Sequence, residues 1–374
     1  MKQVLSAHMS EFTLIKKYFT RSTPQADLGV GDDAALISVG AGMQLAISSD
    51  MLVAGTHFFH DADPYDIGWK ALAVNVSDMA AMGTQARWAT LAIALPSINQ
   101  EKTSPSPQPS PSRGEGALGA ADFTPSPLMG EGWGEGVVTN NWLGEFSRGF
   151  FACANKFGVD LIGGDTTRGP LNISVTIMGE VPKNQALKRS GAQVGDEIWV
   201  SGQLGSAALG LAHLQNKIMQ NKIMQNKIVL KNDLDICLKA LHTPTPRAAL
   251  GLALRGIATS CIDISDGLLA DLGHILKASN CGAKVDLEKI PCIDLLKNNL
   301  DNPQFQEYIL VGGDDYELCF TAPKSKHQEI NALSKQLNLP INCIGSTRTD
   351  IGLQADYKNN QLTLLKQGFD HFKA

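Results

Sequence analysis

Runs of apolar residues along the chain alternate between patterns that predict strands and patterns that predict helices. The stretch KALAVNVSDMAAMG at residues 70–83 is rich in Ala, Leu and Met and has no proline, which predicts a buried helix. Further helices are predicted at residues 11–19, 143–157, 205–213 and 247–255. Strands are predicted at residues 28–37, 45–50, 88–95, 159–165, 172–179 and 196–201, and the strand at 159–165 is expected to run into a Gly-Gly-Asp turn. Residues 309–320 are predicted as a strand, the GGDD segment and a second strand. Such alternation predicts an α/β fold.

The length of 374 residues is enough for two domains, and Val181 and Pro182 mark the predicted boundary between residues 1–182 and 183–374. Two segments interrupt the pattern. Residues 103–140 are rich in Pro, Ser and Gly and repeat SPSP and GEG, so we expect a disordered surface insertion. Residues 215–229 repeat QNKIM-QNKIM-QNKIV, which predicts a surface extension without a function of its own.

Composition and charge exclude several classes of function. The net charge of −5 gives no reason to expect a nucleic-acid partner, because such binding needs a basic face. No apolar run approaches 18 residues, so we expect no membrane span. The N-terminus lacks the apolar core of a signal peptide, and the seven cysteines contain no C-x-x-C pair. These features predict a cytoplasmic protein with reduced thiols.

The predicted helix at residues 70–83 contains an acidic residue in an apolar setting. Asn75 and Asp78 are three residues apart, so they share one face of the helix. A buried carboxylate costs several kcal/mol unless it is paired, protonated or bound to a metal. No Lys or Arg lies within a turn of Asp78 on that face, which favours a metal ion. The alternative is a helix cap or a hydrogen bond to the backbone.

The same arrangement, Asp among glycines, serines and strand ends, recurs along the chain. The segments are GDD, SSD, NVSD, GGDTTR, DISD and GGDD. The GDD segment has a polar turn as its alternative interpretation. His57 lies in a different loop, AGTHFF, and either forms a hydrogen bond within that loop or contacts an anionic substrate. No G-x-x-x-x-G-K-[ST] loop is present, so any nucleotide phosphates must be held mainly through metals. Carboxylates, water and phosphate oxygens are the ligands of Mg²⁺, which predicts several Mg²⁺ ions and a nucleotide.

Seven longer motifs carry a resemblance to a known family. They are GVGDDAAL, SSDMLVAGTHF, KALAVNVSDMAAMG, LIGGDTTRGP, LKRSGAQVGD, IDISDGLLADLGHI and GGDDYELCF. Residues 11–95 and 141–374 resemble the thiamine-monophosphate kinases, which belong to an ATP-binding superfamily with aminoimidazole ribonucleotide synthetase, selenophosphate synthetase and HypE. The resemblance implies a PurM-like fold, with an N-terminal domain that forms a β-barrel across a homodimer and a C-terminal α/β sandwich.

The resemblance also implies roles for individual residues. The implied Mg²⁺ ligands are Asp33, Ser48, Ser49, Asp50, Asp78, Asp165, Asp263 and Asp266. The implied ATP contacts are Gly164, Asp165, Arg189 and Ser265. The implied contacts to the substrate are His57, Asp314 and Phe369, although the family usually has Glu at the position of Asp314.

The activity implied is ATP-dependent phosphorylation of thiamine monophosphate to thiamine diphosphate, with ATP and the monophosphate as partners. Two alternatives stay open at the level of the sequence. One is another ATP-dependent enzyme of the superfamily with a different acceptor. The other is a protein that binds nucleotide or thiamine phosphate but has lost turnover through its insertions.

Overall fold

The computed structural model describes residues 11–96, 139–215 and 231–362. The predicted insertion therefore lies outside the described residues except for its last two positions, and most of the QNKIM repeat lies outside them as well. Two sheets and their helices confirm the predicted α/β class. None of the helices within the described ranges combines the length and the apolar character that a membrane span requires.

The first sheet belongs to the N-terminal half of the chain. Its strands are β1 (Met43–Val53), β2 (Gln85–Leu95), β3 (Asp160–Arg168) and β4 (Asn172–Pro182). In the order β1-β4-β2-β3, strand β4 runs antiparallel to β1 and β2, whereas β3 runs parallel to β2. One face of β4, which carries Ile173, Val175 and Ile177, is buried in the core.

Two long helices cover this face of the sheet. They follow a short helix α1 (Glu11–Leu14) with its π-helical turn (Ile15–Phe19), and they are α2 (Pro64–Ala81) and α3 (Asn140–Phe157). The Asp63 carboxylate caps α2 by accepting from the Tyr65 amide at 2.8 Å. A Cβ at Gly149 of α3 would lie 1.8 Å from the Tyr65 carbonyl oxygen. Glycine therefore permits the close approach of the two helix backbones.

The second sheet belongs to the C-terminal half and has seven strands in the order β11-β10-β7-β9-β5-β8-β6. Its strands are β5 (Glu197–Ser201), β6 (Ser260–Asp263), β7 (Gly282–Asp286), β8 (Leu318–Ala322), β9 (Ile341–Arg348), β10 (Leu353–Tyr357) and β11 (Asn360–Gln361). The accompanying helices are α4 (Ser206–Leu214), α5 (Lys231–His242), α6 (Ala248–Ala253), α7 (Leu268–Ser279), α8 (Asp294–Lys297), α9 (Pro303–Leu310) and α10 (His327–Leu337).

Helix α2 joins the two halves of the chain. A Cβ at Gly251 of α6 would lie 2.0 Å from the Ala80 carbonyl oxygen of α2, so these two helices also touch through their backbones. The indole nitrogen of Trp69 donates to the Pro244 carbonyl at 2.8 Å. The first half thus contacts the second mainly through the helix that carries Asp78.

Three of the predicted elements are wrong. Residues 28–37 form a loop with isolated bridges, Leu28 to Leu36 and Val30 to Asp32, because its glycines and its two aspartates interrupt the apolar pattern. The predicted Gly-Gly-Asp turn after residue 162 is the middle of strand β3, which continues to Arg168 by pairing with β2. The first part of the predicted strand at residues 309–320 is instead the end of helix α9.

Candidate active site

Asp78 lies in the last turns of α2, close to residues from both halves of the chain. Its Oδ2 accepts a hydrogen bond from the Ser48 hydroxyl of β1 at 2.5 Å. One position earlier on the helix, the Ser77 hydroxyl donates to Oδ2 of Asp263, at the end of β6, at 2.7 Å. The helix therefore brings together two aspartates that are far apart in the sequence.

Asp50, Asp78 and Asp263 form a group that we call the inner carboxylates. Burial, followed by the negative charge of Asp78, raises the pKa of Asp50 from 3.8 to about 6. The same two causes raise the pKa of Asp263 to about 7. Burial also raises the pKa of Asp78, although the Ser48 hydrogen bond and the charge of Arg189 lower it. The group lacks positive charge, and a bound cation would stabilise its ionised form.

The turn between β6 and α7 presents Ser265 and Asp266. Its backbone is fixed from within α7, because Oδ2 of Asp271 accepts from the amides of Ser265 and Asp266 at 3.0 and 3.1 Å. Burial, followed by the charge of Asp266, raises the pKa of Asp271 to about 7. Asp271 thus determines where the side chains of the turn stand.

The GGDD segment packs against this turn. The Asp314 amide donates to the Ser265 carbonyl at 2.9 Å, and a Cβ at Gly313 would lie 2.4 Å from the same oxygen. The two aspartates then separate in role. Asp314, with a φ of +67°, forms an ion pair with Lys70, whereas the Asp315 carboxylate accepts from the Gly205 amide at 2.9 Å at the start of α4.

Two cavities meet at His57, Lys70 and Asp314. The central cavity, of about 710 Å³, is lined by a set of predicted site residues, Ser49, Asp50, His57, Asp78, Asp263, Ser265, Asp266 and Asp314. The aromatic pocket, of about 190 Å³, opens beside it and is lined by Phe58, Phe59 and Leu241. His57 and Asp314 line both spaces, so they lie at the border between them.

A third space, the Arg189 cavity, of about 460 Å³, lies on another side of the same aspartates. Asp78 and Asp263 line it together with Ser48, Lys188 and Arg189. Asp78 and Asp263 therefore border both a cavity with two cations and a cavity that is mainly acidic. This arrangement suits two anionic ligands that meet at a bound cation.

The border of the aromatic pocket contains a histidine with an assigned tautomer. Nδ1 of His57 accepts from the Val53 amide at 3.0 Å, so the neutral ring carries its proton on Nε2. The far side of the pocket contains Asp66 and His242. Burial lowers the pKa of His242, although the charge of Asp66 acts in the opposite direction.

Several predicted residues do not reach these cavities within one chain. Asp33 is exposed in the loop before β1, and Asp165 is exposed on β3, at the edge of the sheet opposite β1. Gly164 serves the sheet itself, because a Cβ there would lie 1.8 Å from the Leu91 carbonyl oxygen. Phe369 lies outside the described residues.

Two residues of the site were missed by the sequence reasoning. Lys70 is the first residue of the 70–83 stretch and points to the cavities although it is 5% exposed. A lone lysine within an otherwise apolar helix was the signal that marks it. Asp271 follows the DISD segment within the first turn of an apolar helix, and an acidic residue there is typical of a side chain that fixes the preceding turn.

The donor set agrees with Mg²⁺ bound jointly by protein and ligand. Among residues 11–96, 139–215 and 231–362, no three His, Cys, Asp or Glu side chains converge closely enough to hold a metal ion. Mg²⁺ commonly uses one or two carboxylates and completes its shell with water and phosphate oxygens. Burial and the charge of Asp78 raise the pKa values of Asp50 and Asp263, so a bound cation would stabilise the ionised carboxylates.

Comparison with known proteins places the chain in a family. Residues 31–107 and 126–181 match the N-terminal domain of AIR synthase related proteins, and residues 193–357 match their C-terminal domain. Thiamine-monophosphate kinase of Escherichia coli (strain K12) is 41% identical over 366 residues, which is 97% of this chain and 98% of that protein.

Solved structures agree with this assignment. The thiamine-monophosphate kinase of Stenotrophomonas maltophilia K279a has a TM-score of 0.72 at 39% identity and covers 89% of this chain and 92% of its own. AaThiL, solved in complex with AMPPCP and TMP, has a TM-score of 0.65 at 26% identity, and the match covers 90% of this chain and 89% of AaThiL. The chain belongs to the AIR synthase related proteins and, within them, to the thiamine-monophosphate kinase family.

Proposed function

We propose that this chain phosphorylates thiamine monophosphate by direct, in-line transfer of the γ-phosphoryl group of ATP, with thiamine diphosphate and ADP as products. The relatives are named for this activity, and AaThiL was solved with AMPPCP and TMP. The alternatives with another acceptor or without turnover are not favoured, since relatives of the same name match this chain over nearly its full length.

The observation that carries the proposal is that Asp78 and Asp263 line two cavities of different character. The Arg189 cavity offers Lys188 and Arg189 to a polyanion such as the phosphate chain of ATP. The central cavity and the aromatic pocket offer an acidic and aromatic surface, which suits the cationic ring system of thiamine. The phosphates of both substrates then meet at Asp50, Asp78 and Asp263.

The chemistry needs no general base. The acceptor is a phosphate monoester with a second pKa near 6, so its attacking oxygen is ionised at neutral pH. That oxygen forms a bond to the γ-phosphorus while the bond from the γ-phosphorus to the bridging oxygen breaks, and ADP leaves with the electron pair. The enzyme must align two polyanions and neutralise their charge.

Mg²⁺ belongs to this proposal as the cofactor. Several ions are proposed, and one or two of the carboxylates of Asp50, Asp78, Asp263 and Asp266 would hold each ion, with the hydroxyls of Ser48 and Ser49 as further ligands. When bound, Mg²⁺ supplies charge neutralisation and a fixed arrangement of the phosphate oxygens. The chain's own part is to keep these carboxylates close together and ionised, and the Ser48 and Ser77 hydrogen bonds to Asp78 and Asp263 support this.

We also propose that the active form is a homodimer. Leu45, Ile47 and Met51 alternate on the face of β1 that the helices leave open, and they are exposed by 36%, 62% and 54%. An open apolar sheet face with unpaired edge strands is typical of an interface. Pairing of two copies edge to edge would close a barrel, and it would bring Asp165 of one copy to the β1 side of the other.

The cytoplasmic location predicted from the sequence is part of the proposal. All seven cysteines are free thiols, and six of them are buried. Unpaired cysteines are typical of proteins in a reducing compartment.

The test is ADP release by the full-length protein with ATP and Mg²⁺, measured with and without thiamine monophosphate. We expect ADP only when the acceptor is present, and loss of the signal with EDTA. Thiamine diphosphate should appear in equal amount to ADP. ADP release that thiamine monophosphate does not stimulate would overturn the proposal.

A further inference from the structure

Lys70 is a buried cation at the border between the central cavity and the aromatic pocket. It lies in the second turn of α2 and is 5% exposed, yet it lines both spaces. Among the described residues that line these two spaces, Lys70 alone is a lysine or arginine. A ligand anion that reaches this border therefore meets one permanent positive charge there.

The ammonium group has a single ion-pair partner in the described part of the chain. Lys70 Nζ lies 3.1 Å from Oδ1 of Asp314, and the Tyr316 hydroxyl donates to the same oxygen at 3.0 Å. An ammonium group has three N–H donors, and an ion pair with one carboxylate does not use all of them. Asp314 thus positions the ammonium group, and Nζ of Lys70 can still donate hydrogen bonds to a ligand.

Lys70 lies in a cavity whose other charged side chains are acidic. The remaining charged side chains that line the central cavity are acidic, namely Asp50, Asp78, Asp263, Asp266, Glu307 and Asp314. A phosphate that enters such a space is repelled unless a cation accompanies it. Burial of a lysine with one aspartate contributes little to stability by itself, which favours a role for Lys70 toward a ligand.

We propose that Lys70 binds the phosphate of thiamine monophosphate and distinguishes it from thiamine, while Asp314 holds the ammonium at the border. This inference rests on the proposed function. The rings of the acceptor occupy the aromatic pocket, and its phosphate extends past Lys70 toward the inner carboxylates. Lys70 then neutralises part of the acceptor charge, and the carboxylates stay available for Mg²⁺.

The test compares the binding of thiamine monophosphate with that of thiamine. Both are titrated by calorimetry into the full-length protein with Mg²⁺ and AMPPCP. The variants are Lys70→Met, which keeps the length of the side chain, and Lys70→Arg, which keeps its charge. Lys335→Met on the exposed face of α10 is the matched control, and thermal melting verifies that each variant is folded.

We expect the wild-type protein and Lys335→Met to prefer the monophosphate. Lys70→Met should lose about ten- to hundred-fold in affinity for the monophosphate, the loss typical of one hydrogen bond to a charged group, and should bind thiamine as before. Lys70→Arg should recover part of the preference. Equal weakening of both ligands in Lys70→Met would overturn the proposal, because it would show that Lys70 acts only by holding Asp314 and the pocket.

The outcome is separable from a failure of the proposed function. If the wild-type protein shows no preference for the monophosphate and releases no ADP with it, the proposed reaction itself is wrong. If the wild-type protein has both properties and Lys70→Met keeps both, only the assignment of Lys70 is wrong.

Discussion

Five of the six aspartates implied as metal ligands fall into two groups with different surroundings. The inner carboxylates, Asp50, Asp78 and Asp263, all line the central cavity and have raised pKa values. The outer carboxylates, Asp33 and Asp165, are exposed and line none of the three spaces described above. Within one chain, the cavities are therefore lined by the inner carboxylates and not by the outer ones.

The difference shows which contacts one chain supplies by itself. Hydrogen bonds from Ser48 of β1 and Ser77 of α2 hold the carboxylates of Asp78 and Asp263 in place. Among the described residues no comparable hydrogen bond reaches the carboxylate of Asp165, which lies exposed on the edge strand β3. We therefore expect substitutions that remove a charge from the inner carboxylates to change both the activity and the stability of one chain. Substitutions of the outer carboxylates should change the activity only when a second copy or a ligand is bound.

The largest effect is expected from Asp78→Asn. The substitution keeps the shape of the side chain and removes its charge, so kcat/KM should fall by at least about 10²–10³-fold. Folding should be retained, because a neutral side chain relieves repulsion with Asp50 and Asp263. Steady-state ADP release together with a thermal melt measures both effects.

The exposed Asp350→Asn, in the loop between β9 and β10, is the matched control for this substitution, because Asp350 lines none of the three spaces described above. It should keep wild-type turnover. Wild-type turnover in Asp78→Asn would show that the inner carboxylates do not bind the reacting metal.

A second, large effect separates the two groups by complementation. Asp165→Asn should reduce activity by about 10-fold or more if Asp165 completes the site of another copy. Co-expression of Asp78→Asn with Asp165→Asn then produces mixed dimers in which one site carries both substitutions and the other carries neither. With random pairing, about a quarter of the wild-type activity should return.

Differently tagged copies allow the mixed dimers to be purified and assayed alone. Each mixed dimer should show about half of the wild-type activity. Mixed dimers without activity would place Asp165 in the site of its own chain, and a monomer in solution would contradict the homodimer proposal.

The sequence predicts local elements well where the pattern is strong. Helices α2 and α3 and strands β1, β2 and β4 lie close to the predicted residues, because a long periodic apolar pattern leaves one way to bury each segment. The pairing of Asp263 with Ser77 was beyond reach, since 186 positions separate them and no local pattern reports such a contact.

Two Gly-Gly-Asp segments show the limit most clearly. Residues 163–165 lie within a strand, whereas residues 312–314 form a loop beside the cavity. The same three residue types adopt different structures because their partners differ. The first segment pairs with strand β2, whereas in the second the Asp314 amide donates to the Ser265 carbonyl. Lys70 was missed for a related reason, since its partner Asp314 is distant in the chain.

A moderate effect should come from the support of the turn after β6. Asp271→Ala removes the acceptor for the amides of Ser265 and Asp266, so the turn loses its fixed position. We expect KM for Mg–ATP to rise by about 10-fold, with a smaller change in kcat. Asp271→Asn retains an acceptor oxygen and should stay closer to the wild type, and equal kinetics for the wild type and Asp271→Ala would contradict this role.

The smallest effect concerns stability and also distinguishes the two groups of carboxylates. The folded-state pKa values of about 6 for Asp50 and about 7 for Asp263 lie above the ordinary value of 3.8. Between about pH 4 and 7 the folded protein therefore binds more protons than the unfolded chain, and these groups lower the free energy of unfolding as the pH rises. Asp263→Asn should stabilise the ligand-free protein by about 1–3 kcal/mol at pH 7.5.

This gain should shrink as the pH falls to 5 and vanish below about pH 4, where the wild-type carboxyl is neutral in both states. Urea denaturation at several pH values measures it. Asp165→Asn is the matched comparison, and because Asp165 is exposed it should change the free energy of unfolding by less than about 0.5 kcal/mol at every pH. If the gain for Asp263→Asn is the same at pH 5 and pH 7.5, the substitution acts through packing. The negative charge of the inner carboxylates would then not be what lowers the free energy of unfolding of the ligand-free protein.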